Sequence, residues 1–219
     1  LVSNLHLDEE SVADDTTTTN LNVSRSEFLG LLCELKGTVK DVVFRDPTLM
    51  IGQKGENDST GNCKSLKGVG ILAGRSEGKL TGIAVTRTKQ NSNTVEANVK
   101  VDVSNATVSD GKNTLGVGML VGVLANYENG TIQTLSSGTV SDLTIEGKME
   151  AVLPSSVKQT DAYGIGGIIG YAYLDNTNGT IKINKCTNNA DVTGNVNTGG
   201  IVGRLDGTFR YNNDTNYTA

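Results

Sequence analysis

A right-handed parallel β-helix of about six irregular coils is the fold this sequence predicts, and three observations predict it. First, one short block recurs: Gly70-Ile-Leu-Ala-Gly74, Gly118-Met-Leu-Val-Gly122, Gly166-Gly-Ile-Ile-Gly170 and Gly199-Gly-Ile-Val-Gly203, with a weaker copy in Gly30-Leu-Leu-Cys-Glu34. The starts lie 40, 48, 48 and 33 residues apart, and the middle column is always a large aliphatic: Leu32, Leu72, Leu120, Ile168 and Ile201. Second, another block follows each of the first four copies, as Val39-Lys-Asp-Val-Val-Phe44, Leu80-Thr-Gly-Ile-Ala-Val85, Val140-Ser-Asp-Leu-Thr-Ile145 and, more loosely, Ile183-Asn-Lys-Cys-Thr-Asn188. Third, 27 glycines and 2 prolines in 219 residues, with hydrophobic residues at 36% and set in short runs, make a balance far from the average globular chain. Self-similarity at such a period marks a stacked-repeat architecture. Each column of like side chains then contacts its own copies above and below.

Taken in order, the chain opens on Val2-Ser-Asn-Leu-His-Leu7, a copy of the second block with no Gly block before it. Val2, Leu5 and Leu7 are expected to stand for Val39, Val42 and Phe44, so the chain begins in mid-repeat and pairs near Val39. Phe28 to Leu35 is the one place where a short helix is an alternative to strand. The second blocks are too short for helices and read as strands. Val95 to Val103 alternates apolar and polar over its whole length and predicts a further strand. The tail after Gly203 is either a truncated repeat or a closing edge. Polar segments, among them 52–67, 86–94, 104–114 and 155–161, connect these pieces. Their uneven lengths account for the irregular period, because loop closure entropy grows slowly with length. The expectation is a single repeat domain over 1–219, a fragment of a longer protein.

Glycine at both ends of an aliphatic triplet lets the backbone turn or approach a neighbour where a side chain would clash. Asn, Thr and Ser at the corners hydrogen-bond local backbone. Stacked strands would lie about 4.8 Å apart, and parallel crossovers wind right-handed. Gly70, Gly118, Gly166 and Gly199 should then line up along one face, with room for an extra coil in the 48-residue periods. A β-sandwich, the rival, wants strands every 8–12 residues or so with hairpin signals.

The rest of the composition narrows the function classes. Acidic residues outnumber basic ones by 24 to 19, so the net charge is −5 and no nucleic-acid surface is expected. No apolar run approaches the roughly 20 residues that span a bilayer, so no membrane insertion by this segment is expected. Three cysteines (Cys33, Cys63, Cys186) imply no disulfide framework. Cys33 and Cys186 fall in columns otherwise aliphatic and read as small buried hydrophobes, whereas Cys63 lies in a polar segment. The single His6 excludes the common Cys/His zinc sites.

Several patterns suggest chemistry and are outweighed by plainer readings. Gly68-Val-Gly70-Ile-Leu-Ala73 fits a dinucleotide-binding pattern, but that mechanism needs a helix opening at its third position. Gly74, Gly78 and Gly82 follow instead, and the near-copies at Gly116 and Gly164 belong to the repeat. Gly74-Arg-Ser-Glu-Gly78-Lys79 is too short for a phosphate loop. Asp8, Glu9, Glu10, Asp14 and Asp15 could gather oxygen ligands for calcium, yet a solvated acidic loop is the simpler reading. Asp41 and Asp142 share a repeat position with Asn4, Gly82 and Lys185, a variation that suggests a tolerant exterior position and no catalytic pair. Tyr163, Tyr171 and Tyr173 either edge the coil or form a sugar-stacking platform. The triplets at Asn105, Asn178 and Asn216 follow from composition. No catalytic, cofactor-binding or metal-binding residue is therefore expected, and no cofactor.

The Gly-aliphatic-Gly blocks, with Ile183-Asn-Lys-Cys-Thr-Asn-Asn-Ala-Asp-Val-Thr-Gly194, resemble the GLUG-motif repeats of bacterial cell-surface proteins. Such repeats also occur upstream of the protease domain in streptococcal immunoglobulin A1 protease-like proteins. The similarity is strongest from Gly166 to Gly207, extends over Gly70 to Ile145, and weakens before Phe28. It implies a right-handed β-helix-like repeat in an extracellular or surface-anchored protein, and no catalytic residue, since His-Glu-x-x-His is absent. The expected role is a non-catalytic structural or adhesive segment meeting a host or cell-surface protein or glycan. The alternative is a carbohydrate-binding or carbohydrate-processing β-helix.

Overall fold

The structure is a computed structural model that describes residues 2–3, 6–8, 27–51, 66–90, 93–95, 98–102, 104, 114–154, 161–178, 180–211 and 215–218. Every regular element among them is a β-strand. Three sheets built from parallel strands carry the chain. Sheet 1 has ten strands: Val2–Ser3, His6–Asp8, Thr38–Lys40, Val43–Arg45, Thr48–Ile51, Lys79–Thr81, Ala84–Thr86, Asn98–Asp102, Gly138–Val152 and Ile181–Gly194. Sheet 2 stacks Phe28–Leu29, Gly68–Val69, Thr114–Gly118, Ala162–Gly166 and Thr198–Gly199. Sheet 3 stacks Leu32–Leu35, Ala73–Ser76, Val121–Leu124, Ile169–Asp175 and Val202–Tyr211, closed by Thr215–Thr218. The chain visits sheets 2, 3 and 1 in that cyclic order, and we call each circuit a rung.

The register keeps the spacing of the Gly blocks. Phe28 pairs with Gly68, Gly116 with Gly68, Gly118 with Gly166 and Gly166 with Gly199. The 48-residue periods hold no additional rung. Their extra length goes into two antiparallel hairpins, Thr88–Gln90 with Asn93–Val95 and Asn126–Glu128 with Thr131–Gln133. The second turns on Asn129 and Gly130, both with positive φ (51° and 77°), the geometry of the two-residue turn that suits the strand twist.

Each Gly block proves to be the corner between sheets 2 and 3, and glycine is required there for lack of space. A Cβ on Gly70 would sit 2.6 Å from the Leu120 carbonyl oxygen, and one on Gly118 would sit 2.7 Å from that of Ile168. The glycines two before these blocks and those ending them press on each other: a Cβ on Gly68, Gly116 or Gly164 would strike the carbonyl of Gly74, Gly122 or Gly170. Between the glycines, the peptide N–H of Leu32 donates to the Leu72 carbonyl (2.9 Å), Leu72 to Leu120 (3.0 Å), Leu120 to Ile168 (3.2 Å) and Ile168 to Ile201 (3.0 Å). The aliphatic column is thus one hydrogen-bonded line through five rungs.

The core lies inside these sheets. Phe44, Leu80, Val85, Val117, Leu120, Leu143, Ile145, Met149, Ile165 and Ile168 are fully or almost fully buried. Burial of the aliphatic column fails only at its ends, since Leu32 is exposed and Ile201 half-buried. Those rungs have a neighbour on one side.

Three expectations are corrected here, and the helix alternative at Phe28 to Leu35 is replaced by strand. Val2 pairs with Phe44 and Leu7 with Leu49, not with Val39 and Phe44, so the opening segment sits one short strand further along sheet 1. Phe28 to Leu35 is two strands broken at the corner of Gly30, because its residues extend sheets 2 and 3. Val95 to Val103 does not run as one strand: Asn93–Val95 belongs to the first hairpin and Asn98–Asp102 enters sheet 1 beside Gly138–Val152. Cys33 is exposed, because Leu32 pairs with Ala73 and Glu34 with Arg75. This one-residue slip within the first corner sets Cys33 level with Gly74 instead of Ala73. The tail resolves as a closing edge: Thr215–Thr218 runs antiparallel to the end of Val202–Tyr211.

Candidate functional site

The densest polar chemistry among the described residues lies along one register column of sheet 3. Glu34, Arg75, Val123, Tyr171 and Arg204 are successive Cα partners in that column. Arg75 is fully buried, and a guanidinium in such a place needs charged partners. Its Nη1 donates to Glu77 Oε1 (2.5 Å) and the Ala125 carbonyl (3.0 Å), and its Nη2 to Glu34 Oε2 (2.8 Å). Its Nε has no hydrogen-bond partner among the described residues. The cation lies 5.4 Å from the Tyr127 ring centroid and 5.7 Å from that of Phe28, and those rings meet edge to face at 5.2 Å. Cation–π attraction strengthens when the pair is desolvated.

A second ionic group adjoins the first through Tyr127. Its hydroxyl donates to Glu27, which also binds Lys67 at 2.5 Å. Lys67 Nζ reaches the Tyr127 oxygen at 3.1 Å and the Gly130 carbonyl at 3.2 Å. Burial raises the Glu27 carboxyl, but hydrogen bonds from Lys67 and Tyr127 and the lysine charge outweigh it, so its pKa is lowered. Burial acts against the Lys67 charge, and its pairing with Glu27 prevails, raising its pKa. The Tyr127 hydroxyl is pushed up by burial and by Glu27. Every cation in the group is held by a carboxylate of another rung or strand, so the arrangement fastens the second hairpin across the first two rungs.

Two rungs further, Tyr171 donates to Asp206 (3.2 Å), and Arg204 binds both oxygens of that carboxylate (3.0 and 2.9 Å) and the Asp161 carbonyl (2.6 Å). Tyr171 and Tyr173 stack at 6.3 Å. Of the three tyrosines that either edge the coil or form a platform, Tyr163 and Tyr171 are buried and Tyr173 is half-buried. Burial and the Asp161 charge push the Tyr163 hydroxyl up to about 12. Burial and Asp206 raise that of Tyr171 as well.

The other sequence candidates fall elsewhere. Asp41, Gly82, Asp142 and Lys185 form one line along sheet 1, and all four have left-handed φ, between 50° and 65°. The position selects residues that accept that backbone, which explains the two aspartates in line. Asp41 pairs with Lys40 (3.7 Å) and Asp142 with Lys185 (3.6 Å). Gly68 to Ala73 is the corner described above, with strand on both sides. Cys186 is half-buried, and burial pushes its thiol up. His6 and Asp8 lie in the strand beside Thr48–Ile51. Asn178 is in a turn and Asn216 in the closing strand. Asn4, Glu9, Glu10, Asp14, Asp15, Cys63 and Asn105 lie outside the described residues. Among the described residues, no three His, Cys, Asp or Glu side chains gather into a metal site, and no helix is long and apolar enough to cross a membrane.

Sequence reasoning missed the group around Arg75 and Tyr127. The available signal was Asn129-Gly130 between Tyr127 and Ile132, a strong hairpin mark. Comparison with known protein families, curated proteins and solved structures returns no match.

Proposed function

We propose that this chain is a right-handed β-solenoid that serves as a non-catalytic structural or adhesive segment of a secreted or surface-anchored bacterial protein, like the GLUG-motif repeats it resembles. The observation that carries the reading is the hydrogen-bonded line Leu32, Leu72, Leu120, Ile168, Ile201. A line of this kind ties successive rungs into a stiff rod while leaving the outer segments free to vary in length. The two hairpins are such variations, added without disturbing the stack. The excess of acidic over basic residues, a net charge of −5, suits an aqueous surface. Host or cell-surface proteins and glycans are the partners this role implies.

Antibodies against the domain test the location: intact cells of the source organism should be labelled without permeabilisation. Labelling that requires lysis would overturn it. The carbohydrate reading has one observation in its favour, the stacked Tyr171 and Tyr173 beside Arg204 and Asp206. A glycan array combined with glycosidic-bond cleavage assays separates the two. Reproducible turnover at low protein concentration would overturn the non-catalytic role.

A further inference from the structure

The second hairpin, Asn126–Glu128 with Thr131–Gln133, forms a two-stranded sheet of its own and shares no ladder with the three large sheets. Isolated two-stranded hairpins are marginal in water, so side chains must hold this one down. Two do so. Tyr127 reaches Glu27, Lys67, Phe28 and Arg75 on the first two rungs. Ile132 packs on a small apolar cluster of Val123, Ala125 and Tyr171, separate from the main core. The remaining hairpin side chains are half-buried or exposed. Beneath the hairpin the surface is fully covered: Arg75, Val123 and Ala125 have no exposure, although the Arg75 Nε has no hydrogen-bond partner among the described residues.

We propose that this hairpin is a strap that opens without unfolding the sheets, and that its opening bares a surface of Arg75, Val123 and Tyr171 on sheet 3. Apart from Ile132 and the Tyr127 ring, polar contacts hold the strap, whereas the strands below are in the continuous stack, and regions with few buried apolar contacts open locally at low free energy. The Glu27, Lys67 and Tyr127 group is the latch. Lys67 grips both the Tyr127 hydroxyl and the Gly130 carbonyl at the turn. An open strap leaves Arg75 paired with Glu34 and Glu77 but free of the Tyr127 ring and within reach of solvent.

The test is modification of Arg75 by a dicarbonyl reagent, followed residue by residue by mass spectrometry on the whole chain. Global unfolding is measured in parallel by circular dichroism. Arg75 should be modified under native conditions at a rate that does not follow the unfolded fraction as denaturant rises. Tyr127→Ala should raise that rate by about tenfold, the effect of a lost hydrogen bond to a charged group, and leave the unfolding midpoint close to that of the parent chain. Gly130→Ala, where an added Cβ meets nothing and only the positive φ strains the turn, should raise it severalfold and serves if Tyr127→Ala does not fold. Arg75 modification that tracks the unfolded fraction in both the parent chain and Gly130→Ala would overturn the proposal.

Discussion

Two repeated features of the backbone look alike on paper and differ in what they demand of the sequence. At the corner between sheets 2 and 3, Gly74, Gly122, Gly170 and Gly203 recur as glycine, because a Cβ there would enter the backbone of Leu29, Val69, Val117 or Ile165. At the bend in sheet 1, the equivalent residues are Asp41, Gly82, Asp142 and Lys185, all left-handed. The corner has no space, so its requirement is steric and nearly absolute. The bend has space and asks only for a positive φ, which costs an ordinary residue about 1–2 kcal/mol and Asp or Asn somewhat less. A repeat can therefore be enforced strictly at one position and loosely at another while both keep the same geometry on every rung.

The comparison breaks most visibly in the column beside the corner. Leu120→Asp puts an unpaired carboxylate where there is no exposure. Truncation at such a site costs about 2–5 kcal/mol and a buried charge more, so thermal melting should show loss of the cooperative transition. Ile201→Asp, in the same column on the half-buried last rung, should lower the midpoint by less than half as much. Gly122→Ala comes next: the added methyl meets backbone, which cannot move aside, and about 3 kcal/mol or more is expected from urea unfolding. Asp142→Gly, at the permissive bend, should stay within about 0.5 kcal/mol of the parent chain. Equal losses for Gly122→Ala and Asp142→Gly would erase the distinction.

The smallest expected effect concerns the latch. The folded Glu27 carboxyl lies below its ordinary value of 4.5, so its contribution is full above that pH and disappears as pH falls through the lowered value. The folded Lys67 lies above its ordinary 10.5, so its contribution is full below that pH and is lost as pH rises through the raised value. The pair thus supports the strap between these limits. Both groups are partly exposed, at 23% for the lysine and 35% for the carboxylate, and solvent screening leaves about 0.5–1 kcal/mol. Lys67→Met should lower the midpoint slightly at pH 7 and narrow its difference from the parent at pH 3. An unchanged difference would place the latch elsewhere.

How much of this was legible in the sequence follows from the same contrast. Positions fixed by space repeat as identical letters, and so Gly70, Gly118, Gly166 and Gly199, with Leu120 and Ile168 between them, gave both the column and its register. The left-handed bend was visible only as an odd mixture of Asp, Gly and Lys, because conformation tolerates several residues. The N-terminal part of the stack departs from the expectation at two places. A one-residue slip sets Cys33 level with Gly74, and the opening segment lies against Phe44 and Leu49 and not near Val39. Nothing local distinguishes such alternatives, since apolar residues at similar spacing fit either. Beyond the hairpin mark at Asn129-Gly130, the Arg75 group was hidden because its members, Glu27 and Glu34, Lys67 and Tyr127, are spread over three successive rungs and meet only once the rungs are stacked.

The stack is tied by the line of peptide hydrogen bonds through the middle of the Gly blocks, and nuclear magnetic resonance can observe it directly. Through-hydrogen-bond couplings should connect the Leu72 amide nitrogen to the Leu120 carbonyl carbon, Leu120 to Ile168, and Ile168 to Ile201. Those three couplings, at separations of 48, 48 and 33 residues, are the predicted result. Couplings from these amides to antiparallel partners nearby in the chain, or to a facing sheet out of this register, would contradict it.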